Sequence, residues 1–357
     1  MKFGETCKKY ANRWFISAFS GMAQGLFCTL IAGTIFSLFA KWIGDNPFGN
    51  MVAAMANIAK SAMGFGIGVG IAHSLECNKL TVFSCGVAGF IGAFADKITA
   101  GTFTALTLGA PGNPIGAYIV ALLCAEIVSL YAGKTKFDIL IVPLGTLILS
   151  LGGVYVAWPF VWVINKLGLF IEWATSITPF FMGIIIAVVM GVLLTMPTSS
   201  AAIWIAVASG NTSDAMLIAG GAAVVGCSCH MIGFAVASFR ENGISGLISQ
   251  GLGTSMLQIP NIMKKPVIML PEIIASAVLG PVSTCLFGLK CNASGGGMGT
   301  SGLVGVFGTI EASAGMPAWL VGLGIALLMF ILPAAICFGL SELFRKLGWI
   351  KEGDQKI

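Results

Sequence analysis

Charge is scarce in this sequence: Asp, Glu, Lys and Arg together make up 9% of its 357 residues. A soluble domain carries about 25% of these residues, so the composition excludes a protein whose surface is solvated by water. Long polar stretches are also missing between the two ends of the chain, which leaves no room for a separate soluble catalytic domain. The sequence therefore indicates a single membrane-embedded module over residues 1–357.

Apolar residues take the place of the missing charge, at 57% of the chain and a mean hydropathy of +0.95. A spanning helix needs roughly 20 predominantly apolar residues. We therefore expect an all-α polytopic membrane protein with about eight to ten transmembrane helices. Seven runs without a charged residue are long enough to span: Trp14–Ala40, Ile98–Ala125, Ile139–Asn165, Trp173–Ser213, Ala215–Phe239, Asn242–Met263 and Ala312–Ser341. Of these, Trp173–Ser213 is long enough for one span and a second buried segment.

Basic residues cluster at both ends of the chain. Lysine and arginine near membrane segments favour the cytoplasmic side, which predicts that both termini are cytoplasmic and that the number of crossings is even. The apolar run after Arg13 is longer than the core of a cleavable signal peptide, so we expect a retained first helix. The residues concerned are Lys2, Lys8, Lys9 and Arg13 at one end and Arg345, Lys346, Lys351 and Lys356 at the other.

The ten cysteines do not resemble a secreted disulfide framework, because most lie singly inside apolar runs. The sequence Cys227-x-Cys229-His230 does not match the usual spacing of a structural zinc site, and on a helix Cys229 points away from the other two side chains. We predict no metal site, no cofactor and no catalytic nucleophile in this chain.

Glycine is abundant, with 48 residues, and small residues let membrane helices approach closely. Two segments rich in Gly, Thr, Ser and Pro lead directly into an apolar span. Irregular backbone at membrane depth survives only when it is buried in protein or lines a polar cavity, and such breaks point to transport sites. We predict that Thr99–Pro114 and Gly295–Gly315 are non-helical or hairpin segments. Their positions suggest two related halves, roughly 1–172 and 173–357.

Two ionisable residues in the apolar part of the chain are candidates for contact with a solute. Glu311 lies between the glycine-rich segment and the last span, and His230 lies within the run Ala215–Phe239. A carboxylate inside a membrane costs about 2.5–3.5 kcal/mol on insertion scales and so usually faces a cavity and a partner. The alternatives are an interfacial loop carboxylate for Glu311 and an interhelical hydrogen bond for His230. Glu126 is expected at the interface.

Polar side chains of the second glycine-rich segment complete the predicted solute site. They are Asn292, Thr300, Ser301 and Thr309. Arg240, Lys264 and Lys265 are predicted to form a basic cytoplasmic surface for a phosphorylated partner, although the positive-inside rule alone also accounts for them.

Three stretches of the second half carry a resemblance to a known family: MGVLLTMPTSSAAI, GFAVASFRENGISGLISQGLGTSMLQIPNI and GGGMGTSGLVGVFGTIEA. The chain resembles the membrane IIC component of the phosphoenolpyruvate-dependent sugar phosphotransferase system, and more narrowly its IIC-only, perfringolysin-regulator-like branch. This resemblance implies a homodimeric permease of the bacterial inner membrane with re-entrant hairpins and separate IIA and IIB phosphocarrier partners. In sugar-specific relatives a Glu in a GITEP-like motif and an upstream His contact the sugar. Glu311 in GTIEA and His230 stand in a similar order, but GTIEA lacks the proline after the glutamate.

Three functions stay open at this point. The leading prediction is a permease that binds a sugar-like solute and presents it to a phosphorylated IIB protein. The alternatives are a secondary transporter or facilitator that is not coupled to phosphorylation, and a membrane-embedded sensor or regulator. The sequence does not name the solute.

Overall fold

The computed structural model describes residues 9–102, 112–196 and 199–357. All regular secondary structure within these ranges is helical, and turns and short loops connect the helices. The chain forms two compact units, Met1–Leu167 and Gly168–Ile357. The helices of the first unit are α1 (Lys9–Ile43), α2 (Pro47–Ser61), α3 (Met63–Ser74), α4 (Lys79–Gly92), α5 (Ala95–Thr99), α6 (Pro114–Ser129) and α7 (Asp138–Ile177), the last of which contains the boundary between the units.

The second unit contains both long helices and short ones. Its helices are α8 (Pro179–Thr195), α9 (Ser200–Ala208), α10 (Asp214–Ala237), α11 (Phe239–Ile248), α12 (Ile259–Lys264), α13 (Pro266–Phe287), α14 (Ala293–Gly296), α15 (Val304–Ala312) and α16 (Ala318–Lys346).

The expected class, an all-α polytopic membrane protein, is confirmed. Within the described ranges five helices are long and apolar enough to cross a membrane, namely α1, α7, α10, α13 and α16. A sixth span is present if α2 and α3, which meet at a bend of 49°, count together. The expected eight to ten crossings therefore require shorter apolar helices, such as α4, α6 and α8, to cross as well.

Glycine sets the helix spacing in the first unit. A Cβ atom on Gly66 or Gly70 of α3 would lie 3.0 or 2.1 Å from a carbonyl oxygen of α1. A Cβ on Gly64 or Gly68 would lie 2.8 or 1.9 Å from a carbonyl oxygen of α4. The GFGIGVG sequence of α3 thus places alternate glycines against two neighbours, and backbones approach closely because no side chain intervenes.

The second unit is built around α10, most of whose residues are buried. Ser213 begins this helix by accepting a hydrogen bond from the Met216 N–H at 3.3 Å, which satisfies one of the free donors of the first turn. Close backbone contact again depends on glycine, since a Cβ on Gly226 would lie 2.0 Å from the Ala187 carbonyl oxygen of α8. Helices α8, α13 and α16 all pack against α10.

Candidate functional site

A short buried helix follows α8, as the length of Trp173–Ser213 predicted. This helix, α9, has nine residues, so it is about 13–14 Å long and too short to cross a membrane. Eight of its residues are buried. The indole Nε1 of Trp204 is also buried and has no hydrogen-bond partner among the described residues.

The glycine-rich segment after α13 is a hairpin. Its first arm is the single turn α14, and its second arm is α15. The two arms lie side by side, because the Asn292 N–H donates to the Gly308 carbonyl at 3.4 Å and a Cβ on Gly295 would lie 3.0 Å from the Gly308 Cα. Between the arms the backbone turns through the left-handed region at Gly299, Gly302 and Leu303.

The hairpin packs against α9 and α10. Ser200 at the start of α9 donates from Oγ to the Gly297 carbonyl at 2.7 Å. A Cβ on Gly296 would lie 2.2 Å from the Trp204 Nε1, and one on Gly299 would lie 2.7 Å from the Cys227 carbonyl carbon of α10. Only a glycine backbone fits at these distances, so close approach requires glycine at Gly296 and Gly299.

The first predicted broken segment, Thr99–Pro114, falls mainly on residues 103–111, which lie outside the described residues. Its described ends leave the helical conformation, with φ of 69° at Gly101 and 74° at Gly112. Asn113 then starts α6 by accepting hydrogen bonds from the Ile115 and Gly116 N–H groups. The hairpin predicted here, and the relatedness of the two halves, remain predictions.

Asn292 and Glu311 meet at the open end of the hairpin. Asn292 donates from Nδ2 to the Glu311 Oε2 at 2.6 Å and accepts from the Gly295 N–H at 2.8 Å. Both residues are partly exposed. The pair lies near the start of α10, where the Cys291 N–H donates to the Leu217 carbonyl at 2.9 Å. A carboxylate offers about four acceptor positions, so Glu311 can accept a solute hydroxyl as well.

His230 is fully enclosed. Its Nδ1 lies 2.9 Å from the Thr195 Oγ1 of α8, and that hydroxyl lies 3.1 Å from the Ser255 Oγ. Its Nε2 is buried against Gly191 without a hydrogen-bond partner among the described residues. The interhelical hydrogen bond considered for His230 is therefore present, and contact with a solute would require the surrounding helices to separate.

The remaining polar residues of the predicted site donate to backbone carbonyls. Thr300 donates to Gly251 at 2.6 Å, and Ser301 donates to Gly253 at 2.9 Å. These bonds tie the turn of the hairpin to the residues after α11. Thr309 donates to Gly305 within its own helix at 2.8 Å.

Glu311 and His230 lie at different levels along α10. Cys291, next to Asn292, contacts α10 at Gly220, where a Cβ would lie 2.3 Å from the Cys291 carbonyl oxygen. His230 is ten residues further along the helix, a rise of about 15 Å. This distance exceeds the length of one sugar ring, so the two side chains do not form a single contact set in this conformation.

Two of the three predicted docking cations are paired within the second unit. Arg240 lies 3.0 Å from Glu342, and Lys265 lies 2.6 Å from Asp354. Lys264 ends α12 and is exposed. The predicted basic surface is thus partly neutralised by residues that are distant in the sequence.

Asp354 belongs to a terminal segment, Trp349–Ile357, that folds back onto the residues between α10 and α13. Glu241 accepts hydrogen bonds from the Gly353 and Gln355 N–H groups at 3.1 and 2.9 Å, and Asn242 accepts from the Ile357 N–H at 3.0 Å. Asn242 and Gln258 both donate to the Gln355 carbonyl, and Asn261 donates to the Lys356 carbonyl. Arg345 reaches the same network, 3.0 Å from Glu241.

In the first unit, two side chains of α1 hold Glu126, and its expected place at the membrane interface remains a prediction. It accepts from the Arg13 Nε at 2.6 Å and from the Trp14 Nε1 at 3.1 Å.

Several residues of the site were not identified from the sequence. Ser200 is the last residue of the sequence TMPTSS, and Trp204 follows it. A proline-containing stretch before a short apolar run was the available signal. No sequence signal links Ser255 or Thr195 to His230, because their contact depends on how α8, α10 and the segment after α11 pack together.

Comparison with known protein families gives a match over almost the whole chain. The family model described as "Phosphotransferase system, EIIC" matches residues 16–357. No curated protein matches the chain.

Proposed function

Because the chain belongs to the EIIC family of the phosphotransferase system, the membrane sugar permeases, we propose that it binds a sugar-like solute at the Asn292–Glu311 pair and presents it for phosphorylation by a separate IIB protein. One observation carries the proposal for the site: a partly exposed carboxylate is held by an amide, 2.6 Å away, at the open end of a buried hairpin.

The chemistry of this pair suits a polyhydroxyl solute. A carboxylate accepts two hydroxyl hydrogen bonds at once, and hydrogen bonds to a charged acceptor are about twice as strong as neutral ones. Asn292 fixes the carboxylate through one oxygen, so little ordering remains when the solute binds. The second unit also holds a matched pair for comparison, since Asn211 donates to the Glu172 Oε2 at 2.6 Å.

The contribution of this chain to phosphorylation would be positioning. A bound solute that is held in line with the phosphorylated IIB residue reacts in an effectively unimolecular step. No nucleophile of this chain is needed. His230 and the residues Thr300, Ser301 and Thr309 would line the inner part of the path once the hairpin and α8 move apart.

Uptake into proteoliposomes tests the proposal. The chain would be reconstituted with a panel of labelled sugars, with and without the general phosphotransferase proteins and cognate IIA and IIB. We expect accumulation of a phosphorylated sugar only with the complete set. Uptake of unmodified solute without these proteins would identify a facilitator, and binding without uptake would identify a sensor. Either result would contradict the proposal.

We also propose that both termini are cytoplasmic, in a bacterial cytoplasmic membrane, and that the permease is a homodimer. The basic residues at both ends support the orientation, and the family supports the dimer. Labelling of single cysteines at residues 9 and 356 by a membrane-impermeant maleimide, in intact and in opened cells, tests the orientation. Labelling of either position in intact cells would contradict it, and crosslinking in native membranes tests the dimer.

A further inference from the structure

A carboxylate lies inside the second unit with no hydrogen-bond partner in the described part of the chain. Glu272 is in the first turn of the main helical stretch of α13 and is fully buried. Neither of its carboxylate oxygens has a hydrogen-bond partner among the described residues. No other residue of α13, Pro266–Phe287, is of a charged type. No part of the proposed solute site uses it.

The surroundings of Glu272 come from α10 and α16. If Gly233 carried a Cβ atom, that atom would lie 2.8 Å from the Glu272 Cγ and 2.7 Å from the Cys337 Sγ. Both side chains therefore approach the backbone of α10 at Gly233. The titratable groups that face it are the thiols of Cys229 on α10 and Cys337 on α16. Helix α8, which also packs against α13, contains no titratable residue.

These neighbours exclude a charged carboxylate in this packing. An ionised carboxylate in an apolar interior, without a counter-ion, costs several kcal/mol even after the protein relaxes, and such a group takes up a proton instead. A hard metal ion needs six or more oxygen ligands, whereas the neighbours here are glycine and two thiols. A softer ion such as zinc accepts thiolates, but the described residues contain no group of three His, Cys, Asp or Glu side chains placed to hold a metal ion. The ligand that fits the site is a proton.

We propose that Glu272 is a proton-binding site, and that its occupancy holds α10, α13 and α16 in the packing observed here. When the proton leaves, the carboxylate must reach water, and this requires α13 to separate from α10 and α16. The same motion would change the packing of α10 at Gly233, which is about one helical turn from His230. Carboxylates inside membrane segments act as proton relays in pumps and transporters.

Infrared spectroscopy of the full chain in a detergent without ester groups tests the proposal directly. A protonated carboxylic acid has a carbonyl stretching band that carboxylates and amides lack. We expect this band at neutral pH in the wild-type protein and its loss in Glu272→Gln and Glu272→Met. The matched control Glu126→Gln removes a carboxylate that is paired with Arg13, so the band should persist. A wild-type spectrum whose band is unchanged by both Glu272 substitutions would overturn the proposal.

Folding of the variants is part of the test. Glutamine has the size of the neutral acid, and methionine is an apolar residue of similar volume, so at least one should give a monodisperse protein. Failure of both to fold would contradict a neutral Glu272.

Accessibility of Cys337 supplies a second measurement, in a chain in which it is the only cysteine. We compare the rate of maleimide labelling in the chain that keeps Glu272 with the rate in Glu272→Gln, so that the intrinsic reactivity of the thiol cancels in their ratio. This ratio should rise with pH, because only the chain that keeps Glu272 loses a proton there and opens its packing. A ratio that is constant with pH would show that loss of the proton does not open the packing. Neither measurement involves transport, so they remain informative even if the proposed solute is wrong.

Discussion

Asn292 donates a 2.6 Å hydrogen bond to Glu311 across the open end of the hairpin. The bond joins the residue that caps α14 to the last turn of α15. It therefore closes the hairpin and orients the carboxylate at the same time. Glu311→Gln separates the two roles, because the oxygen of a glutamine can still accept the hydrogen bond from Asn292.

Glu311→Gln keeps the side-chain size but exchanges one acceptor oxygen for an NH₂ donor. A polar group left unpaired beneath the bound solute costs about 1–3 kcal/mol, so we expect a roughly tenfold to hundredfold loss of solute affinity with little change in folding. Glu172→Gln, in the matched pair with Asn211, should leave affinity unchanged. Calorimetric binding of the transported solute measures both. Wild-type affinity in a well-folded Glu311→Gln protein would show that the glutamate has a structural role only.

Gly299→Ala should lower the thermal stability of the protein. Residue 299 has φ of 55°, and an added Cβ would lie 2.7 Å from the Cys227 carbonyl carbon. Overpacking at such a site costs about 1–3 kcal/mol. Gly315→Ala is the control, because a Cβ there meets nothing within 4 Å. Thermal unfolding in detergent compares the two, and equal melting temperatures would argue against the close packing of the hairpin on α10.

Glu241→Ala should release the terminal segment. Glu241 and Arg345 form a pair whose side chains are 4% and 13% exposed, and removal of one partner from a buried pair costs about 3–5 kcal/mol. Two backbone N–H groups of the segment also lose their acceptor. Glu352→Ala removes an exposed carboxylate of the same segment and should have little effect. A spin label at Lys356→Cys reports mobility, and an immobile label in Glu241→Ala would contradict this prediction.

The terminal segment should also detach at low pH. Burial alone raises the pKa of Asp354, but the hydrogen bonds from Lys265 and the Lys351 N–H and the two lysine charges outweigh it, so its pKa lies below the ordinary value. A lowered folded-state pKa gives stability that is present above the unfolded value of about 3.9 and is lost as pH falls through the folded value.

The same spin label at residue 356 measures this pH dependence. Its mobility should increase only below about pH 4, and Asp354→Asn should remove the part of the change that Asp354 causes. Release between pH 5 and 7 would indicate that a different group controls the segment.

The helical class and the hairpin at residues 292–312 were predictable, because both depend on local composition. Long apolar runs require helices in a membrane, and glycine with Thr and Ser after Asn292 marks a break. The partners of Lys265 and Arg240 were not predictable. Each pairs with an acidic residue about 90 to 100 positions away, and no periodic pattern encodes such a distance. The number of crossings was hard to predict for a related reason, since hydropathy does not distinguish a buried short helix such as α9 from a span.

The hydrogen bonds that hold the terminal segment have a consequence for how this part of the chain can vary. Most of them join side chains of Glu241, Asn242, Gln258 and Asn261 to main-chain groups of residues 353–357. Every non-proline residue offers the same main-chain donor and acceptor. Exchanges of side chain at Lys356 or Ile357 should therefore be tolerated, whereas deletion of a single residue would shift each group past its partner. At these last two positions natural variants should preserve the spacing of the main-chain groups and not the identity of the side chain.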